Sequence, residues 1–291
     1  MKHATLSLKA KFSLVIAITL WASAFVAIRA GLRGYSPGSL ALLRYLIAST
    51  CMLPLYLQVP NRQKFNAPEV LKLLIIGMIG IGFYNVTLNY AELTVSSGMA
   101  SFIISQCPLL TVILAVIFLK ERLNKIKLFG FGLSIIGVAF ITLSEKGALG
   151  WDQSLIYIFL ATFAGGLYNF LQKSILSKYH AIEATAYIIW GGTLALLIYL
   201  PQLSSEISHA SVQPTLMAVY LGIFPAAIGY VAWSYVLAEI PASRAVSFLY
   251  FSPFVASLLG WLCLGETMLW TALLGGVIAI IGIKFAASAS V

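Results

Sequence analysis

The chain has 291 residues, 60% of them hydrophobic and 9% charged, with a formal charge of +9 at pH 7. A soluble domain carries about 25% charged residues, so this composition excludes an ordinary water-soluble fold and predicts an all-α integral membrane protein. No nucleic-acid motif accompanies the basic balance, Cys51, Cys107 and Cys263 have no CxxC spacing, and His3, His180 and His209 lie outside the apolar runs; a nucleic-acid partner, a disulfide framework, a metal and a cofactor are not expected.

A bilayer core needs about 20 apolar residues per helix. Ten stretches qualify, at 12–31, 37–58, 70–91, 95–119, 126–144, 153–173, 182–203, 214–238, 242–264 and 268–287. The first follows Lys9 and Lys11 and ends near Ala22-Ser23-Ala24, which imitates a cleavable signal peptide. The repeat described below pairs it with a later helix, so it is expected to stay; it also carries Trp21. The second holds Arg44, the one charged residue well inside an apolar stretch. The third has Tyr84, and then Asn85 and Asn89 on one helical face. Ser101, Ser105 and Gln106 precede Pro108 in the fourth, and the fifth carries Gly130, Gly132 and Gly137, which with Gly275, Gly276 and Gly282 suit close packing of the fifth helix on the tenth. Tyr168 and Asn169 lie in the sixth; Pro225, Tyr230, Trp233 and Ser234 lie in the eighth; Ser247, Tyr250 and Ser252 precede Pro253 in the ninth.

One pattern occurs twice. Residues 108–121 read PLLTVILAVIFLKE and residues 253–266 read PFVASLLGWLCLGE, 145 residues apart. The register holds from Gly82 to Phe140, with thirteen identities in 59 pairs, among them Tyr90 with Tyr235, Glu121 with Glu266, Gly130 with Gly275 and Gly137 with Gly282. Two halves, 1–145 and 146–291, are therefore expected within one membrane domain. Each has five helices, an odd number, so the second half enters the membrane inverted. With cytoplasmic termini, fourteen lysines and arginines fall inside and three (Arg29, Arg33, Lys146) outside; this bias predicts both termini in the cytoplasm. A small molecule is then expected in a central cavity between the inverted five-helix repeats.

The Leu20-Trp21-Ala22-Ser23-Ala24-Phe25 stretch, Leu43-Arg44-Tyr45 with Ala48, and the doubled proline-to-glutamate segment resemble the drug/metabolite transporter superfamily, and within it the ten-helix EamA family. That resemblance implies a five-plus-five fold in the cell's inner membrane, a central cavity, and export of amino acids or related small metabolites. Two positions depart from symmetry: Ile189 stands where a second Arg44 would be, and Gly166 where a second Trp21 would be.

An arginine at membrane depth costs about 2.5 to 3.5 kcal/mol on insertion scales, so Arg44 needs protein or water around it. It either meets a substrate carboxylate or serves the fold, by snorkelling to the interface or bonding backbone carbonyls. The nine acidic residues all fall at or beyond predicted helix ends, leaving no buried carboxylate for proton antiport of the kind used by four-helix multidrug relatives. Trp21, Tyr84, Asn85, Asn89, Ser105, Gln106, Tyr168, Asn169, Tyr230, Trp233 and Tyr250 are the further candidates for a mainly apolar pocket with a few orienting groups. Each polar member alone serves equally as an interhelical hydrogen bond. Pro108, Pro225 and Pro253, read as mid-helix, are either hinges or static bends. The wall chemistry fits an apolar amino acid, or a quaternary ammonium held by aromatic faces. A membrane enzyme acting on lipid-linked substrates would need a titratable cluster, and His180 with Glu183 does not supply one. The remaining partners expected are lipid and the substrate, with the protein a monomer and a dimer as the alternative.

Overall fold

The computed structural model describes residues 7–64, 66–119, 125–144, 153–265 and 270–288. The described chain is helical throughout, as its apolar runs dictate, because backbone groups in lipid must be satisfied within each segment. The helices are α1 (Leu8–Gly31), α2 (Pro37–Leu57), α3 (Ala67–Ala91) and α4, which is built from Ser97–Ile104 and Cys107–Leu119. They continue as α5 (Lys125–Ser144), α6 (Gln153–Ile175), α7 (Ala181–Glu206) and α8 (Val212–Glu239). The series ends with α9, built from Ala242–Ser247, Phe248–Phe251 and Ser252–Leu264, and α10 (Trp270–Ser288). Among the described residues, eight of them (all but α5 and α10) are long and apolar enough to cross a membrane. Phe12, Leu53, Phe159, Phe163, Ile198 and Trp261 stand exposed around the outside, an apolar surface that suits lipid and would aggregate in water.

Local chemistry sets the helix ends. Ser7 Oγ accepts from Ala10 N at 3.1 Å and Ser96 Oγ from Met99 N at 3.1 Å, each capping the donors that a first turn leaves open. Pro37 starts α2, where its missing N–H costs nothing. Gly265 ends α9 with φ +68°, the left-handed region that favours glycine.

The 145-residue offset reappears in the backbone. The middle of α3 is a π-helical segment, Met78–Phe83, and its counterpart in α8 lies within the π-helical segment Gly222–Gly229. The α4 helix breaks at Ser105 and Gln106, and the equivalent part of α9 is the 3₁₀ turn Phe248–Phe251. Contacts between the halves are reciprocal: α1 packs on α8 and α9 as α6 packs on α3 and α4, α2 packs on α8 as α7 packs on α3, and α5 packs along α10. The α3 and α7 backbones approach so closely that a Cβ on Gly77 would collide with the carbonyl of Ile188, and one on Gly191 with Leu74.

The prolines require a correction. Pro108 and Pro253 do not sit in the middle of continuous helices: each lies at the first turn of a new segment, after the break in α4 and after the 3₁₀ turn of α9. Of these three, Pro225 lies within a helix, inside the π-helical segment of α8. Glu121 and Glu266 lie outside the described residues.

Candidate functional site

A cavity of about 90 Å³ lies where α1, α2, α3, α4, α6, α8 and α9 meet, enough for several waters or part of a small solute. Eight of the candidate residues line it: Trp21, Arg44, Tyr84, Asn85, Ser105, Tyr168, Asn169 and Tyr230. Apolar wall comes from Phe25 and Ile28, on the Trp21 face of α1, and from Leu88 and Leu249. No carboxylate is among the lining residues; against the expectation that none is buried, Glu92 and Glu183 are buried at their helix ends, outside this lining.

Arg44 is 4% exposed. Its Nη1 donates to Asn85 Oδ1 at 2.9 Å, and its Nε has no hydrogen-bond partner among the described residues. Buried in this way it does not reach the interface, and among the described residues no backbone carbonyl accepts from it. Asn85 Nδ2 donates both to Tyr45 Oη and to Ile81 O, each at 2.8 Å. Ile81 belongs to the π-helical segment of α3, where the widened turn disturbs the regular ladder and leaves its carbonyl within reach of a side chain. Tyr45 Oη in turn lies 3.4 Å from Tyr230 Oη. A guanidinium is thus held over the hollow by a chain of neutral groups, with donors left for a ligand.

The same cavity has an aromatic wall. Trp21 packs at 5.2 Å from Tyr230 and 5.3 Å from Trp233, and Tyr168 at 5.8 Å from Tyr230, all tilted or edge-on. Trp21 Nε1 donates to Pro225 O at 3.2 Å, so the π-helical segment of α8 also lends a carbonyl to a cavity side chain. Asn169 accepts from Trp233 Nε1 at 2.9 Å and donates to Gly165 O at 3.0 Å, which fixes its amide.

Four candidates stand elsewhere. Trp233 is fully buried behind Trp21. Asn89 donates to Pro37 O at 2.9 Å and ties α3 to the start of α2. Gln106 lies in the α4 break, with Nε2 3.4 Å from Ser105 Oγ. Tyr250 is buried 6.5 Å from Phe131 of α5. Sequence reasoning missed Cys107, which lines the cavity with Sγ 3.2 Å from Thr162 O; an apolar run offers no signal for it. Phe25 and Ile28 were findable, four and seven residues after Trp21.

Long apolar helices enclosing a buried hollow lined by polar and aromatic groups define a multi-pass membrane transporter. The EamA-like transporter family model matches the chain twice, over residues 8–143 and 153–287. The chain belongs to this family of transporters and is not an enzyme. It is 36% identical to the uncharacterized transporter YdfC of Bacillus subtilis over 98% of this chain and 92% of that one. It is 35% identical to a probable terminal-alkyne amino-acid exporter of Streptantibioticus cattleyicolor over 94% and 92% of the two chains. A probable amino-acid metabolite efflux pump of Salmonella typhimurium is 23% identical over 96% and 94%. A crystal structure superposes with a TM-score of 0.72 at 16% identity, covering 96% of each chain, a likeness of fold.

Proposed function

We propose that the protein exports small carboxylate-bearing metabolites, amino acids or related zwitterions with apolar side chains, across the cytoplasmic membrane. Ten helices in two inverted five-helix repeats alternate the access of the central cavity, with both termini in the cytoplasm. The observation that carries this reading is Arg44: a buried guanidinium in the wall of the hollow, bonded to a neutral amide, with no carboxylate lining the same space. A substrate carboxylate supplies the missing countercharge, and the Trp21, Tyr168 and Tyr230 faces receive an apolar side chain or an ammonium. The reciprocal contacts between halves support a two-fold relation, and in this reading each half crosses five times, so the axis lies in the membrane plane. Two relatives bear names that refer to amino-acid export.

The aromatic trio also favours a second reading, export of quaternary-ammonium or aromatic cations; Arg44 in the same hollow opposes it. Uptake into proteoliposomes separates the two, using leucine and phenylalanine against choline and phenethylamine, with and without a proton gradient. Saturable flux of the acids that does not need the gradient is expected, since no lining carboxylate can carry the proton. Movement of the amines alone selects the second reading, and strict dependence on a proton gradient refutes the uncoupled mechanism.

A further inference from the structure

A second hollow, of about 440 Å³, lies along the seam between α3 and α6, with Ile75, Ile76, Leu171 and Ile175 as its apolar wall and Lys72 and Lys178 at its rim. It is one step from the central cavity. Ile76 and Leu171 stand about one helical turn from Gly80 and Tyr168, which line that cavity. On the central-cavity side of this seam the Tyr168 ring lies directly on Gly80, and a methyl group added to Gly80 would collide with the ring as well as with Cβ. At the rim, Glu69 accepts from Lys178 Nζ at 2.9 Å and from Tyr179 Oη at 3.0 Å. Two lysines against one glutamate leave the mouth positive.

The repeat supplies an internal comparison. The equivalent seam lies between α8 and α1, where Tyr220 occupies the place of Ile75 and Ser23 that of Tyr168. There Ser23 Oγ meets Tyr220 Oη at 2.6 Å, Tyr35 Oη meets Thr215 Oγ1 at 2.8 Å, and a Cβ on Gly34 would stand 2.7 Å from Pro214 Cβ. At the level of Tyr220 side chains close this seam, where its counterpart is hollow.

We propose that the α3–α6 hollow is a cytosolic vestibule that binds the substrate carboxylate before the central cavity does, and that Tyr168 resting on Gly80 is the door between them. This rests on the export reading above, from which it takes the carboxylate and the cytosolic placement of this end. Lys72 and Lys178 raise the local concentration of an anionic group at the mouth, Ile75 and Ile175 accept an apolar side chain, and Arg44 lies beyond the door as the second cationic station.

The test uses the full chain with Cys51, Cys107 and Cys263 replaced by serine, in membrane vesicles of known orientation, and a charged membrane-impermeant maleimide. Ser174→Cys, in the vestibule, is expected to label from the cytosolic face at least about tenfold faster than Met217→Cys, in the filled seam, labels from the outer face. This measurement needs no substrate. Equal rates, or labelling of Ser174→Cys from outside only, overturn the vestibule. In a second arm, Lys72→Gln with Lys178→Gln is expected to raise the KM for phenylalanine supplied from the cytosolic side by about three- to tenfold with kcat unchanged; an unchanged KM overturns the carboxylate role. Tyr168→Ala is expected to make Ser105→Cys, beyond the door, label from the cytosolic face, and protection as before overturns the door. Intact labelling asymmetry with no flux of leucine or phenylalanine removes the substrate reading and leaves the vestibule standing.

Discussion

Replacing Arg44 tests the site most directly. Arg44→Ala removes the one cation lining the cavity and the donor to Asn85 Oδ1, while Asn85 keeps its bonds to Tyr45 and Ile81. A charge-assisted hydrogen bond contributes about 1.5 to 3 kcal/mol, and about 1.4 kcal/mol is tenfold in affinity. The apparent affinity for phenylalanine should therefore fall by roughly 10- to 150-fold. Phenethylamine, identical but for the carboxylate, should bind no worse, because the repelling charge is gone. Arg44→Lys keeps a point charge and loses the planar fork, so its affinity for the acid should lie between wild type and Arg44→Ala. The assay is concentration-dependent uptake in proteoliposomes, with thermal unfolding of the detergent-solubilised variants as the check on folding. Equal losses for acid and amine, with the variants still folded, would refute the assignment of Arg44 to the carboxylate.

Trp21→Ala deletes two aromatic contacts and the bond to Pro225 O. At about 0.5 to 1.5 kcal/mol per aromatic contact, KM for phenylalanine should rise more than KM for alanine, measured by the same uptake. Gly77→Ala drives a methyl into the Ile188 carbonyl, backbone that cannot rotate away; thermal unfolding should show a loss of about 1 to 3 kcal/mol or failure to fold. Asn89→Ala removes the bond to Pro37 O outside the cavity, and should lower the melting temperature without changing the relative uptake of acid and amine. Burial, with the bond to Glu69 adding to it, pushes the Tyr179 hydroxyl from 10.0 up to about 12. A raised folded-state value means its contribution is complete below about pH 10 and lost as pH rises through about 12. The unfolding midpoint should therefore drop across that interval in wild type and less in Tyr179→Phe.

Much of the scaffold was legible before any coordinates, because lipid imposes a length and an apolarity that few other contexts require. The apolar stretches coincide with helices, and the 145-residue offset that matched proline to proline also matches one π-helical segment to another. Arg44 announced itself by cost alone: a charge within an apolar run must be answered somewhere. Which of its neighbours share the hollow was not legible. Asn85 and Asn89 lie on one face as their spacing dictates, but about 6 Å apart along the axis. At the first level the face meets the cavity, and at the second it meets the start of α2. Ser105 and Gln106 were separated by a break in α4 that a helical period cannot foresee, and Tyr250 was turned towards Phe131 by the 3₁₀ turn of α9. Periodicity assigns a residue to a side of its own helix. Only the packing of the helices decides whether that side, at that depth, meets empty space, lipid or another backbone, since those contacts come from residues far away in the chain.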